Sequence, residues 1–387
     1  MSYGTLALIV AVGLLGPLVA LLPTRVAPPV VIGEIVAGVI LGRTGTRTID
    51  ATQPTLAFLA DIGFALLMFM VAVSLPLRDA RLRRAARRGL WATALTVGLA
   101  IALASVVASI TELHRPGILA VLMTSSSAAI VLPIVGTRAD DDDALLVTIA
   151  WVSFADIVTV LAVPFVLETG GFGRTLLGAV LILAGAAVMG LVIWRLIQLE
   201  PVEALRHASH RLGWALDLRF SLLVLFTLAW IAERFDTSAL LAGFAAGIMV
   251  SLLGEPRRVA DQLIGLGQGF FVPLFFVVLG ARLDLRALVQ SRDDLLLFAL
   301  LAVGTTLARV TAGAIMRLPL SSGLLAAATM GVPSAVASLG LATDALRPGQ
   351  AAAIMAAAAL SLVVAGVGAV LVGASPSINP PAPHDGG

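Results

Sequence analysis

Charge in this chain is almost confined to short gaps between long apolar runs. Thirteen such runs follow one another, at roughly 3–22, 26–42, 55–77, 89–110, 116–136, 144–168, 174–194, 216–232, 238–253, 261–281, 294–316, 318–342 and 350–373. An apolar helix of about 20 residues spans the ~30 Å hydrocarbon core of a bilayer. The pattern therefore predicts an all-α polytopic membrane protein with about 13 transmembrane helices. No polar segment is long enough for a soluble domain. Composition agrees: 59% of residues are hydrophobic and 12% charged, against about 45–50% and about 25% in soluble domains. The first run lacks a basic leader and runs straight into the second, so it reads as a span and not as a cleaved signal. Residues 374–387, rich in Pro and Gly, read as a disordered tail.

Several kinds of chemistry are excluded by absences in the sequence. There is no cysteine and no lysine, so all 25 basic residues are arginine. That removes disulfides, thiolate metal centres, Schiff bases and the lysine of a phosphate-binding P-loop. The four histidines, His114, His207, His210 and His384, fall in polar connections or the tail, so neither a histidine metal centre nor a Ser-His pair is expected inside the membrane. The formal net charge is +2, which offers no basic surface for nucleic acid. The chain reads as a protein without cofactor or resident metal, not as an enzyme.

Orientation follows from arginine placement in alternate connections. One face receives 15 arginines, including the run Arg81 to Arg88, and the other receives nine, with Arg309 inside a span. The richer face is expected to be cytoplasmic, placing the N-terminus outside a plasma membrane and the C-terminus within. An internal repeat supports the odd count. Residues 63–77 and 269–283 match at Gly63/Gly269, Phe64/Phe270, Phe69/Phe275, Val71/Val277 and Leu77/Leu283, and AGVILG at 37–42 is echoed by AGIMVS at 246–251. The matching spans are the third and tenth, so the two copies run in opposite directions. Inverted repeats are a signature of secondary transporters, with the substrate site at the repeat interface.

Ionisable groups near the bilayer centre are costly and mark function. Asp156 lies at the middle of its span, about 18–20 Å from either end. Ser153 and Thr159, three residues to either side, share its face, so a carboxylate and two hydroxyls offer oxygen ligands to a hard monovalent cation. The preceding span carries Thr124-Ser125-Ser126-Ser127 and then Pro133. Its counterpart in the second half carries Thr329-Met330-Gly331-Val332-Pro333-Ser334, then Ser338 and Gly340. Paired interruptions of this kind point to a transport site formed by crossing broken helices. Free carbonyls there ligate cations, and the facing half-helix dipoles need a balancing charge, which Arg309 can supply. The plainer reading of the same Ser, Thr and Gly residues is close helix packing. Glu34, among small residues in PPVVIGEIVAGVILG, is more easily structural than ion-binding. Asp61 reads as a charge near a helix start. Asp140–Asp143 precede the Asp156 helix and favour its N-terminus, with a cation-attracting mouth as the sharper alternative. The run at 81–88 reads as the positive-inside signal, with anionic lipid contact as an extra, and His207 and His210 read as a solvated loop, with pH sensing as the sharper alternative.

Taken in order, PPVVIGEIVAGVILG, LADIGFALLMFMVAVSL, SSSAAIVLPIV and VPLFFVVLGARLDL resemble the cation:proton antiporter-2 (Na+/H+ exchanger-domain) family, over essentially the whole chain except the tail. The resemblance implies two inverted repeats with interrupted crossing helices, a homodimer, and a split into scaffold and moving core. On that division 1–54 hold scaffold and dimerisation helices 1–2, 55–170 core helices 3–6, 171–255 the linker and scaffold helices 7–9, and 256–373 core helices 10–13. It also implies elevator-type exchange of Na+, K+ or Li+ for H+. Asp156 matches the position of the family's ion-and-proton carboxylate, and Arg309 that of its basic residue at the crossing. Ala155 departs from the pattern, because relatives usually carry Asp, Asn or Gln there. With a lone acid that binds either a proton or a cation, exchange is expected to be electroneutral. The alternative on the same fold is a cation-coupled symporter of an organic anion held by Arg309. A cation channel is a third reading, and an intramembrane hydrolase is disfavoured because no histidine accompanies the membrane serines.

Overall fold

A computed structural model of the chain describes residues 3–14, 30–75, 80–135, 142–167, 171–197, 216–235, 239–253, 263 and 265–373. The tail 374–387, His207, His210, Asp140 and Asp141 lie outside the described residues. In chain order the first half contains α1 (Tyr3–Gly13), α2 (Val30–Leu41), α3 (Pro54–Ser74), α4 (Ala80–Ile110), α5 (Pro116–Thr124), α6 (Ala128–Val135), α7 (Asp143–Val166) and α8 (Phe172–Ile197). The second contains α9 (Leu216–Arg234), α10 (Ala239–Leu253), α11 (Val272–Arg282) after a π-turn at Gly267–Phe271, α12 (Leu285–Gln290), α13 (Arg292–Ile315), α14 (Leu320–Ala326), α15 (Gly331–Ala342) and α16 (Pro348–Leu371).

Each of the thirteen expected runs holds described helix, and the fifth and twelfth are each split in two. Among the described residues, seven segments are long and apolar enough to cross a membrane by themselves. Their surroundings differ with place in the bundle. The α14–α15 segment is 78% buried and α8 only 22%, so the broken helix lies at the centre and α8 at the lipid-facing rim. Phe172, Val180, Val188 and Trp194 are exposed along α8, as expected of a helix that is apolar all round.

The helices group into two packed bodies. In one, α2 lies against α11, and α3 against α10 and α11, with α8 and α9 alongside α10. In the other, α4 packs on α5, α7 and α13, and α16 on α13, α14 and α15. Packing thus joins α3 and α11 to α2 and α10. The physical reason is close backbone approach at small residues. A Cβ at Gly38 of α2 would overlap the Val277 carbonyl of α11, and one at Gly247 of α10 would overlap the Phe69 carbonyl of α3. Gly38 and Gly247 occupy the echoed AGVILG and AGIMVS segments. Each repeat's glycine helix therefore packs on the other repeat's partner helix, and Phe64 stacks on Phe275 with ring centres 5.1 Å apart where the two partners meet.

Connections after the second, fourth, tenth and twelfth runs meet on one face, as alternate connections of a spanning bundle do. Thr44 Oγ1 donates to Leu283 O at 2.9 Å and accepts from Leu285 N at 3.1 Å. Elsewhere on this face Arg347 pairs with Glu112 at 2.6 Å and approaches Asp293 and Asp294. Here too the Thr52 hydroxyl and amide hold the Asp50 carboxyl below its ordinary pKa.

Gly38→Val and Gly247→Val are each expected to destabilise the protein by about 1–3 kcal/mol, the usual cost of overpacking. Thermal unfolding in detergent checks this, with Gly98→Ala, whose Cβ would meet nothing within 4 Å, unchanged or slightly more stable.

Candidate functional site

The fifth span breaks where the sequence stacks three serines. Helix α5 stops at Thr124, Ser125 is extended (φ −63, ψ 146), and α6 resumes at Ala128. Serine hydroxyls compete for backbone hydrogen bonds and so favour such a break. Ser125 Oγ bonds Leu122 O at 2.8 Å, and the Ser127 carbonyl accepts from Ile130 N and Val131 N to start α6. In the second break α14 stops at Ala326, and Gly331 and Pro333 restart the chain as α15.

The two breaks touch. Ser126 Oγ donates to Ala326 O at 2.8 Å, and Ser125 Oγ and Thr329 Oγ1 are 2.6 Å apart. Ser361 of α16 supports the second break, accepting from Thr329 N at 3.1 Å and donating to Ala358 O at 2.7 Å. Backbone groups freed by the breaks are thereby satisfied within protein, which is the condition for irregular backbone at membrane depth.

Two buried charges occupy the half-helix ends. Asp156 Oδ2 of α7 accepts from Ala128 N at 2.8 Å, at the N-terminus of α6. Arg309 of α13 donates through its NH2 group to Thr124 O and Ser125 O, at the C-terminus of α5. The anion thus faces the positive end of one half-helix and the cation the negative end of the other. Asp156 is 3% exposed and Arg309 0%.

Of the expected site residues, Asp156, Thr124, Ser125, Ser126, Ser127 and Arg309 meet at this crossing. Their uses differ from the simple ligand set. The Thr124 and Ser125 carbonyls are engaged by Arg309, and the Ser125 and Ser126 hydroxyls hold the two breaks together. Ser153 Oγ, one turn from Asp156, is buried with no hydrogen-bond partner. Thr159 Oγ1 donates to Ala155 O at 2.8 Å and keeps its lone pairs. Ser334 bonds back to Met330 O at 2.7 Å, within its own helix. Glu34 lies apart on α2; its Oε2 is buried with no hydrogen-bond partner. Asp142 caps α7, accepting from Ala144 N and Leu145 N. Asp61 is the eighth residue of α3 and interacts electrostatically with Arg282.

Trp151, which little in the sequence marks as part of a site, also lies at the crossing. It is fully buried, and its ring lies 5.5 Å from the Arg309 guanidinium carbon. A buried indole needs a partner for its N–H, and Thr96 Oγ1 accepts from Trp151 Nε1 at 3.1 Å. The one signal in the sequence was a tryptophan five residues before the mid-span acid. A separate cavity of about 930 Å3 opens on the Arg347 face, lined among others by Arg43, Arg47, Arg282, Asp50 and Asp344. Neither Asp156 nor either break lines it.

Comparison with known proteins finds similarity along nearly the whole chain. The profile of the family described as sodium/hydrogen exchanger, transmembrane, matches residues 8–373. YjbQ of Bacillus subtilis is 22% identical over 362 residues, covering 88% of this chain and 58% of YjbQ. The Na+/H+ antiporter NhaS5 of Synechocystis is 25% identical over 309 residues, covering 75% of this chain and 43% of NhaS5. The chain thus spans about half the length of these curated relatives. The solved structure of the sodium proton antiporter MjNhaP1 from Methanocaldococcus jannaschii superposes with a TM-score of 0.62 at 16% identity, over 96% of this chain and 97% of that one. It shares the fold.

Ser126→Ala and Ser361→Ala each strand a buried backbone group, Ala326 O and Thr329 N. Each is expected to lower stability by about 1–3 kcal/mol, the cost of an unsatisfied buried polar group, as read by thermal unfolding in detergent.

Proposed function

Because the chain belongs to the transmembrane sodium/hydrogen exchanger family, we propose that it exchanges a monovalent cation (Na+, K+ or Li+) for H+ across the membrane. One observation carries the reading. Of the three buried acids among the described residues, Glu34, Asp156 and Asp294, only Asp156 sits at the crossing of the broken helices. It is bound there by a half-helix N-terminus and has an unpartnered hydroxyl, Ser153, one turn away.

The mechanism follows from the single carboxylate. Asp156 accepts a proton or a cation, not both at once. A bare carboxylate is expensive to carry through a low-dielectric barrier, and neutralising it by either ligand removes most of that cost. Only the two neutral forms then cross, so the two fluxes are coupled through competition at one site. Ala155, beside Asp156, adds no second acid, so one positive charge moves each way and exchange is electroneutral. Ser153 and Thr159 supply further oxygens to the cation, whereas Arg309 stays with the α5 carbonyls.

The two packed bodies suit an elevator movement, in which the body holding both breaks carries Asp156 past the body of α2, α3, α10 and α11. A homodimer built on residues 1–54, and a plasma-membrane location with the C-terminus in the cytoplasm, belong to the same proposal.

The test uses purified protein in liposomes with a preset pH gradient and a trapped pH dye, challenged with Na+, K+ and Li+ in turn. Cation-dependent collapse of the gradient is expected in the wild type and not in Asp156→Asn, which removes the titrating charge at similar volume. Exchange that survives the substitution would refute the site. Competition further predicts that lowering the pH raises the apparent KM for the cation and leaves the maximal rate unchanged. Electroneutrality predicts no current across a planar bilayer at zero potential under an ion gradient.

A further inference from the structure

Arg309 and Asp156 are opposite charges buried at the same helix crossing, yet no ion pair joins them. In a medium of low dielectric their attraction is large at short range. Something must hold the guanidinium elsewhere. Part of the restraint is the pair of bonds from NH2 to Thr124 O and Ser125 O. Arg309 Nε and NH1 make no hydrogen bond, so those bonds cover only one edge of the group.

The other restraint is an aromatic face. The guanidinium carbon lies 5.5 Å from the Trp151 ring centre, within the range of a cation–π contact. The ring is itself fixed. Its Nε1–H donates to Thr96 Oγ1 at 3.1 Å, and the Trp151 carbonyl accepts from Thr93 Oγ1 at 3.2 Å. Trp151 and Asp156 stand on one helix, five residues apart, which places them about 140° apart around its axis at about 100° per residue. Helix α7 therefore presents the carboxylate on one side and draws the guanidinium towards another. Ala155, the neighbour of Asp156, offers no polar group to the guanidinium.

We propose that Trp151 is a positioning residue that holds Arg309 on the α5 carbonyls and so keeps it from capturing Asp156, leaving that carboxylate open to cation and proton. This rests on Asp156 as the exchange site. A guanidinium released from the ring acts as a tethered competitor of the transported cation. Loss of the contact therefore weakens apparent cation affinity and spares the maximal rate, whereas loss of ordinary packing lowers the rate or the yield of folded protein.

The experiment replaces Trp151 with mono-, di- and trifluorotryptophan by site-specific incorporation. Fluorination changes ring volume little and weakens the ring's attraction for cations stepwise. Exchange is measured in liposomes over a range of Na+, K+ or Li+ concentrations. The apparent KM is expected to rise with each fluorine, towards about thirtyfold for complete loss of a desolvated cation–π contact, with the maximal rate unchanged. Thr96→Val, which frees the indole without altering it, should raise KM in the same direction. A flat KM across the series, or a falling maximal rate at constant KM, overturns the proposal. Asp156→Asn in the same assay separates the premises. A flat series beside an inactive Asp156→Asn refutes the role of Trp151 alone, and exchange that survives Asp156→Asn refutes the site and this role together.

Discussion

The structure depends on the match between two buried charges and two half-helix ends. A broken helix inside a membrane exposes carbonyls at one stump and amides at the other, and lipid can satisfy neither. Here the amide stump of α6 meets Asp156 and the carbonyl stump of α5 meets Arg309. Each charge is stabilised by the partial charge of the helix end it faces, and each helix end tolerates its break because of the charge. Removing one member of such a set leaves the others buried and unpaired, at a typical cost of about 3–5 kcal/mol. The break and the charges are therefore one device.

Around that device the two repeats exchange partners. Helix α2 packs on α11 and α10 on α3 through glycines in equivalent segments, and Ser125 and Ser126 of the first half bond Thr329 and Ala326 of the second. Arg309, from the second half, holds the carbonyls of the first. The pseudo-symmetry is thus a pattern of mutual dependence. Its centre, the α14–α15 segment, is the most deeply covered of the candidate spans, and its rim, α8, the least.

Much of this was legible in the sequence. The thirteen runs appear as helix because apolar length is a strong constraint in a bilayer. Asp156 and Arg309 stood out because a charge within an apolar run is rare. The serine run and Gly331-Val332-Pro333 marked the breaks because those residues weaken helix continuity. Three features were not legible. The first is the grouping of α3 and α11 with α2 and α10, which depends on which backbones come within reach of Gly38 and Gly247. The second is the engagement of the Thr124 and Ser125 carbonyls, since an arginine 185 residues away shows no sign in the sequence of where its side chain reaches. The third is Trp151, which reads as one more apolar residue until the ring is seen beneath a cation.

The same mutual dependence bears on how the chain is made. Asp156 and the serine break are synthesised before Ala326, Thr329 and Arg309 exist. At about 5–20 residues per second, the interval between Asp156 and Arg309 lasts roughly eight to thirty seconds. During that time Asp156 already has the α6 amide, but the Thr124 and Ser125 carbonyls lack Arg309 and the two serine hydroxyls lack Thr329 and Ala326. The break in the first repeat is therefore completed only when its mirror has been made.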